Sequence, residues 1–282
     1  METALAVPPP ETPQSKRSEV LEQMMGIQRQ ERQLVGLGDI LNQFLMEGSS
    51  LQEHETSFLG ETFKEIITSK RKAWKRIAMI EKTEKNLSSG LKSCLNSLKA
   101  KVQREIIDGS KELVAILNGY LPKQTDKSTK PYINLVKLRS DLLRYCSECS
   151  AVIEERKKFG KEADDSYKEA LDLAEEHLPI YEPVRLGIVL NYSLLHYVVY
   201  GDVEQAIKLA SETQANVLEM LSYDSELLNP QIKAVLQALS DNLTLWKYEI
   251  PDEEVEGTPE ETDALCGGNL FDRALKNPIS FP

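Results

Sequence analysis

Apolar residues recur with the spacing of an α-helix through nearly all of residues 16–248, and this repetition limits the possible folds more than any other feature. In residues 17–32, for example, Val20, Met24 and Ile27 follow the i, i+4, i+7 pattern of one helix face. The strict alternation that is typical of strands is not found. Glycine and proline interrupt the pattern at 48–50, 121–122, 159–160, 179–183, 201–202 and 229–230. The sequence therefore predicts an all-α fold.

These interruptions divide the region into about nine predicted helices. They cover residues 17–32, 34–47, 53–84, 87–120, 129–158, 162–178, 183–200, 203–222 and 227–248. Asn229 and Pro230 are typical of an N-cap followed by proline at the first helical position. Short connections favour antiparallel neighbours, so we expect a stack of helical hairpins. Two segments superficially resemble tetratricopeptide repeats, but no period of about 34 residues continues through the chain, and a repeat solenoid is the alternative.

The charged residues are unevenly placed along the chain. Its 282 residues carry 45 acidic and 34 basic side chains, a net charge of −11, which argues against a general nucleic-acid-binding protein. Residues 249–266 hold eight acidic residues and no basic one, so we predict an acidic linker there. Residues 1–15 are rich in proline and threonine and are predicted to be a disordered arm. The predicted organisation is thus a helical domain at 16–248 and a C-terminal tail at 267–282.

The sequence also predicts where in the cell the protein works. No apolar run approaches the roughly 20 residues that span a bilayer, so we expect no membrane span. The first residues lack the basic and apolar regions of a signal peptide. Four cysteines are too few for a disulfide scaffold. We therefore expect a cytoplasmic protein.

Two predicted helices carry charged residues whose spacing places them on one face. Lys64 and Arg71 lie seven residues apart, two turns along the third predicted helix. The fifth predicted helix carries Lys137, Asp141, Arg144 and Tyr145. The two cationic stripes could converge on a dianion, whereas the competing interpretation is two solvated faces with i, i+4 ion pairs. Two features favour convergence: Arg144 and Tyr145 have apolar neighbours, and Asn191 stands in a very apolar helix, where an amide needs a partner.

Four segments together resemble the 14-3-3 proteins. They are SFLGETFKEIITSKRKAWKRIAMIE, KLRSDLLRYCSE, PVRLGIVLNYSLLHYVV and DNLTLW, which occur in the family's order between about residues 20 and 248. The resemblance implies a cup-shaped protomer of nine antiparallel helices that dimerises through its N-terminal helices. It also implies a groove that binds phosphoserine or phosphothreonine segments of client proteins, so the expected function is that of a phosphorylation-dependent adaptor. The alternative is a helical scaffold that binds irrespective of phosphorylation.

The resemblance also assigns residues to the groove. The family's phosphate pocket falls on Lys64, Arg71, Arg144 and Tyr145. A phosphoserine carries about −1.5 to −2 charges at neutral pH, which guanidinium groups bind well. The residues that match the rest of the groove are Lys137, Asp141, Leu190, Asn191, Leu194, Val235, Asn242, Leu245 and Trp246. Of these, Asn191 and Asn242 match the asparagines that hold the ligand backbone.

Several positions depart from the family's pattern. Val198 stands where a glutamate usually supports Asn191 and the ligand, Ala238 replaces a leucine of the apolar wall, and Ser140 replaces a glycine. Among the dimer-interface positions, Arg32 matches an interface arginine, but Val35 falls where an acidic partner is common. These departures concern affinity, ligand preference and dimer strength rather than the phosphate pocket.

The last residues, RALKNPISFP, resemble a ligand of the family's groove. Ser280 is preceded by Lys276 and followed two positions later by Pro282. We predict that phosphorylated Ser280 docks on the pocket of its own or a neighbouring protomer, against the alternative of a frayed terminus.

No constellation typical of an enzyme stands out. Cys146 and Cys149 form a CxxC pair, but they lie within a predicted helix and lack a second ligand pair. His54, His177 and His196 show no metal-ligand spacing, and neither a phosphate-binding glycine loop nor a GxSxG elbow is present. We therefore expect no catalytic activity, metal or cofactor.

Overall fold

The computed structural model describes residues 13–31, 36–46, 51–84 and 86–249. Within these ranges the chain forms nine α-helices and no strand, which confirms the all-α prediction. The helices are α1 (Pro13–Glu31), α2 (Leu37–Met46), α3 (Glu53–Thr83), α4 (Ser89–Tyr120), α5 (Lys130–Cys149), α6 (Ile153–His177), α7 (Pro183–Leu195), α8 (Val203–Tyr223) and α9 (Pro230–Lys247). Short 3-10 turns follow α4 and α8, and a π-helical turn, His196–Tyr200, extends α7.

Local side-chain contacts explain where several helices begin. The side chains of Ser88, Thr129 and Asp202 each accept a hydrogen bond from a backbone N–H in the first turn of α4, α5 and α8. Asn229 does the same for α9, and Pro230 occupies the first helical position, as the sequence predicts.

One predicted helix boundary is wrong. The sequence analysis separates two helices at Phe159 and Gly160, whereas α5 ends at Cys149 and α6 begins at Ile153, so Gly160 lies inside α6. A Cβ atom on Gly160 would lie 3.1 Å from Val199 Cγ1 and 3.3 Å from Ser147 Oγ. The glycine therefore permits close packing between α6 and its neighbours rather than ending a helix.

Helix α5 lies at the centre of the fold. It packs against α3, α4, α6 and α7, and fifteen of its twenty residues are buried. Several of them are polar or charged, namely Ser140, Asp141, Arg144, Ser147 and Glu148. Because buried polar groups need partners, this helix is where the fold must build a network of hydrogen bonds and ion pairs.

Two apolar clusters meet at α7. The first joins α1 to α7, and the second joins α7, α8 and α9. Helix α7 contributes Ile188, Tyr192 and Leu195 to the first cluster, and Leu186, Leu190 and Leu194 to the second. This shared helix places α9 opposite α3 and α5. In the described part of the chain, no helix combines the length and apolarity needed to cross a membrane.

The apolar stripe of α1 has an unexpected orientation. Val20, Met24 and Ile27 are 43%, 41% and 59% exposed, whereas the neighbouring Leu21 and Met25 are almost fully buried. The i, i+4 pair Leu21/Met25 thus packs on the core of this protomer. The other face leaves apolar side chains at the surface.

Candidate functional site

A cleft of about 520 Å³ lies between α3, α5, α7 and α9. Its wall includes seven of the residues predicted from the sequence. They are Lys64, Lys137, Asp141, Tyr145, Leu190, Asn191 and Val235. Lys64 of α3 and Lys137 of α5 thus line the same cleft.

Two buried arginines lie beside this cleft and share one carboxylate. Arg71 on α3 is 5% exposed, and Arg144 on α5 is fully buried. Glu148, also on α5, accepts from Arg71 through Oε2 and from Arg144 through Oε1. Burial by itself raises the pKa of Glu148, but the two guanidinium groups outweigh it and hold that pKa below the ordinary carboxyl value. Glu148 is therefore ionised, and the two arginines retain one positive charge in excess.

Both arginines pack on the ring of Tyr145, which lines the cleft. The Arg71 and Arg144 guanidinium carbons lie 4.9 and 4.5 Å from its ring centroid, within the range of cation–π contacts. Burial raises the pKa of Tyr145, so its hydroxyl stays protonated and can donate to an anion. The Nε–H of Arg144 donates to the Tyr167 hydroxyl at 3.2 Å, and that hydroxyl donates to Asp141.

Two lysines on α3 add to the positive charge. Burial, followed by the charge of Lys137, lowers the pKa of Lys64. Lys75 stands one turn beyond Arg71. Burial, followed by the charge of Arg71, lowers the pKa of Lys75 to about 8, although Glu148 opposes the shift. In both cases burial is the main cause and a neighbouring cation adds to it, and a bound anion would oppose the shift.

Asp141 connects α5 to α7. Its Oδ1 accepts from Asn191 Nδ2 at 2.8 Å, and its Oδ2 pairs with Lys137 Nζ at 2.8 Å. The Oδ1 atom of Asn191 is buried and has no hydrogen-bond partner among the described residues. It is an acceptor that still lacks a donor, in a residue that lines the cleft. Gly187 makes room for Lys137, whose Cε would lie 3.1 Å from an added Cβ.

Other residues assigned to the groove lie deeper in the protein. Leu194 and Trp246 belong to the second apolar cluster, and Trp246 is fully buried with its ring stacked on Tyr197 at a centroid distance of 5.1 Å. Asn242 is buried, and Leu245 packs against the same cluster. Among the described residues, none of these four lines the cleft.

The departures from the family's pattern are accommodated by their surroundings. Val198 and Ala238 are buried in the second apolar cluster. The buried Ser140 hydroxyl donates to the Val136 carbonyl at 2.9 Å and contacts Ser166 Oγ at 2.8 Å. Position 198 carries no carboxylate, and Asn191 donates through Nδ2 to Asp141.

Sequence reasoning missed three residues of the site: Lys75, Glu148 and Tyr167. The i, i+4 spacing could have identified two of them, because Glu148 lies four residues after Arg144 and Lys75 lies four residues after Arg71. Tyr167 joins the network from α6, and no spacing relates it to α5.

The CxxC pair and the histidines take no part in the cleft. Cys146 and Cys149 are free and buried, and burial raises the pKa of both thiols to about 12. Both therefore stay protonated at neutral pH, whereas the thiolate is the reactive form. No group of three or more His, Cys, Asp or Glu within the described ranges could hold a metal ion. Arg32, Val35 and Ser280 lie outside the described residues.

The arrangement is suited to binding a dianion. Five positive charges, those of Arg71, Arg144, Lys75, Lys64 and Lys137, stand against the two negative charges of Glu148 and Asp141. A guanidinium has five N–H donors, so an arginine that pairs with a carboxylate still has donors for phosphate oxygens. The unpartnered Asn191 oxygen adds an acceptor for a peptide main chain.

Comparison with known proteins is consistent with this chemistry. A family model described as 14-3-3 protein matches residues 29–247. A 14-3-3 protein of Eimeria tenella is 30% identical over 215 residues, which cover 76% of this chain and 76% of the relative. The 14-3-3 protein eta of Bos taurus is 28% identical over 208 residues, 72% of this chain and 83% of the relative. The 14-3-3 protein 2 of Entamoeba histolytica is 27% identical over 208 residues, 73% and 86% of the two chains.

The lowered pKa of Lys75 generates a prediction about pH. Affinity for a phosphoserine peptide should be highest below pH 8, where Lys75 is charged, and should fall by about threefold or more as the pH rises to 9.5. The phosphate, whose second pKa is near 6, stays dianionic over this range. Binding is measured by fluorescence anisotropy from pH 7 to 9.5.

Lys75→Arg is the matched control, because arginine keeps its charge over the whole range. Lys64, whose pKa is also lowered, titrates equally in both proteins. Identical pH profiles for the two proteins would show that Lys75 contributes nothing to binding.

Proposed function

The chain belongs to the 14-3-3 family of phosphopeptide-binding adaptors, and from this premise we propose that Lys64, Arg71, Arg144 and Tyr145 hold the phosphate of a client's phosphoserine or phosphothreonine. The observation that carries the proposal is the pair of buried guanidinium groups packed on the Tyr145 ring and oriented by Glu148. Their excess positive charge attracts a dianion, whereas an unphosphorylated serine has no charge with which to pair.

The rest of the ligand would lie along the cleft. Asn191 would accept from the ligand main chain through its unpartnered oxygen, while Leu190 and Val235 would contact apolar side chains. Lys137 and Asp141 would hold Asn191 in place. This wall would be supported from the second apolar cluster or its edge by Leu194, Asn242, Leu245 and Trp246.

The phosphate assignment predicts the effect of two substitutions. Lys64→Glu should weaken binding of a phosphoserine peptide by at least tenfold, because it replaces attraction with repulsion. Arg71→Ala should cost about 2 kcal/mol of binding free energy, the value of a charge-assisted hydrogen bond. Arg71 also neutralises part of the charge of Glu148. The free energy of unfolding of the Arg71→Ala variant should therefore be measured in parallel. Affinities are compared for a labelled phosphopeptide and its unphosphorylated twin.

Lys157→Glu is the matched control, since Lys157 is exposed on α6 and the substitution changes the net charge equally. Wild-type affinity in Lys64→Glu and folded Arg71→Ala would refute the phosphate assignment. Equal binding of the two peptides to the wild-type protein would instead favour the alternative, a helical scaffold of tetratricopeptide-like type that binds irrespective of phosphorylation.

We also propose that the protein is a homodimer joined through its N-terminal helices. Support comes from the apolar residues left exposed in this half of the chain. They are Val20, Met24 and Ile27 on α1, Met79 and Ile80 on α3, and Leu91 and Leu98 on α4. A second copy of the chain would cover them, and two clefts would then give avidity for doubly phosphorylated clients.

Light scattering tests the dimer directly. At micromolar concentration the wild-type protein should have twice the single-chain mass of 31.8 kDa, and Ile27→Asp should shift it towards one chain. Leu218→Asp, which changes an exposed apolar residue of α8, is the control and should leave the mass unchanged. A single-chain mass for the wild-type protein at every concentration would exclude the dimer.

A further part of the proposal concerns the tail, residues 267–282, which lie outside the described residues. Phosphorylated Ser280 would compete for the phosphate site as an autoinhibitor or link neighbouring dimers. Its support is the spacing of Lys276 and Pro282 and a linker whose coil-like span is about 30 Å, which gives roughly millimolar effective concentration.

Deleting residues 267–282 should therefore strengthen binding of an external phosphopeptide, provided that Ser280 is phosphorylated. Mass spectrometry establishes the phosphate, and the same deletion in unphosphorylated protein is the control. Equal affinities of the phosphorylated full-length and truncated proteins would eliminate autoinhibition.

The proposal contains no catalytic step, cofactor or metal, in keeping with a family of non-enzymatic adaptors. It places the protein in the cytoplasm, where the free, buried thiols of Cys146 and Cys149 suit a reducing environment. Its partners would be phosphorylated proteins rather than nucleic acids, because the chain is acidic overall.

A further inference from the structure

We propose that Lys75 is acylated by acyl phosphates, donors whose phosphate group Arg71 and Arg144 would hold while the Lys75 amine attacks the acyl carbon. This inference rests on the proposed function of the site, because the same arginines bind the phosphate in both cases. It adds a covalent modification at one lysine, with an N-acyl lysine and hydrogen phosphate as products. The reaction modifies each protein molecule once and is not a catalytic turnover.

Lys75 belongs to the same charged cluster as the two guanidinium groups. It lies four residues after Arg71 on α3, on the same face of the helix and about 6 Å further along its axis. The lysine is half-buried, and the charges of Arg71 and Glu148 both act on its amine. Glu148 in turn pairs with Arg71 and Arg144. A phosphate held by the arginines would therefore lie beside the Lys75 amine.

The surroundings of Lys75 also favour the nucleophilic form of its amine. Burial, followed by the charge of Arg71, lowers the pKa of Lys75 to about 8. At pH 8 about half of this side chain is the free amine, against about 0.3% for a lysine with the ordinary pKa of 10.5. Nucleophilicity falls as the pKa falls, which offsets part of this gain. We therefore expect Lys75 to react about tenfold faster than an exposed lysine at this pH.

The acyl transfer needs only the amine and the donor. The lone pair of the uncharged amine forms a C–N bond to the acyl carbon, and the bond between that carbon and the phosphate oxygen breaks. Phosphate leaves with the electron pair of that bond and takes up the proton that the nitrogen loses. Arg71 and Arg144 would stabilise the leaving phosphate, because its negative charge grows as the bond breaks. They would also hold the donor close to the amine, which raises its effective concentration.

Acylation and phosphopeptide binding should exclude one another. An acylated lysine has no charge, so one of the cations around the phosphate would be lost. The acyl group would also occupy space beside the arginines. Conversely, a bound phosphopeptide would occupy Arg71 and Arg144 and keep the donor away from Lys75.

The test uses the full chain and acetyl phosphate as the donor. The protein is incubated at pH 8, and the rate of acetylation at each lysine is measured by peptide mass spectrometry. Lys75 should react about tenfold faster than Lys72, an exposed lysine of the same helix that serves as the internal control. A phosphoserine peptide at about ten times its Kd should slow the reaction at Lys75 by about tenfold and leave the rate at Lys72 unchanged.

A second donor without phosphate, the N-hydroxysuccinimide ester of acetic acid, isolates the contribution of the arginines. The preference for Lys75 over Lys72 should be larger with acetyl phosphate than with this ester. Equal rates at the two lysines with acetyl phosphate, equal preferences with the two donors, or no protection by the phosphopeptide would each overturn the inference. Equal binding of the phosphorylated and unphosphorylated peptides, measured by fluorescence anisotropy, would instead overturn the proposed function, so the two failures are distinguishable.

Discussion

Burial of the Glu148 carboxylate between two guanidinium groups allows the interior of this helical domain to hold several charges. A single buried charge costs several kcal/mol, and only mutual pairing with good geometry offsets that cost. Arg71 comes from α3, whereas Arg144 and Glu148 come from α5, so the pairing also fixes one helix against the other. Lys64 and Lys137 each stand seven residues before one of these arginines, and both consequently line the same cleft. The position of the cleft depends on this one arrangement.

Asp141 connects α5 to the wall of the cleft that α7 forms. It accepts from Asn191 on α7 and from Tyr167 on α6, and it pairs with Lys137 on its own helix. Because Val198 packs in the apolar cluster instead of presenting a carboxylate, Asn191 depends on Asp141 for its orientation. Asp141 therefore links the proposed phosphate site to the amide that we propose contacts the ligand main chain. A substitution at position 141 would disturb both together.

The helical period and the resemblance to a family sufficed to predict the fold class and the residues facing the cleft, because both depend on local spacing. Contacts between helices were harder to foresee. Gly160 resembles a helix break in sequence, but it is needed where Ser147 and Val199 approach α6. Glu148 looks like a surface residue until the arginine of another helix is placed beside it. Trp246 lies at the end of an amphipathic helix, and only the packing of Tyr197 determines that it is buried.

The two ends of the cleft differ in how their charged side chains are held. At the proposed phosphate end, Glu148 and Tyr145 hold the arginines in place, so binding of a phosphate there would require little further ordering of these side chains. At the opposite end the carboxylates of Glu53, Glu61 and Glu182 are partly or fully exposed, where water and salt weaken each ion pair. Ion pairs of that kind contribute little to affinity. A protein with a net charge of −11 repels acidic segments at long range. Attraction of an anion therefore depends on the local excess of positive charge around the arginines.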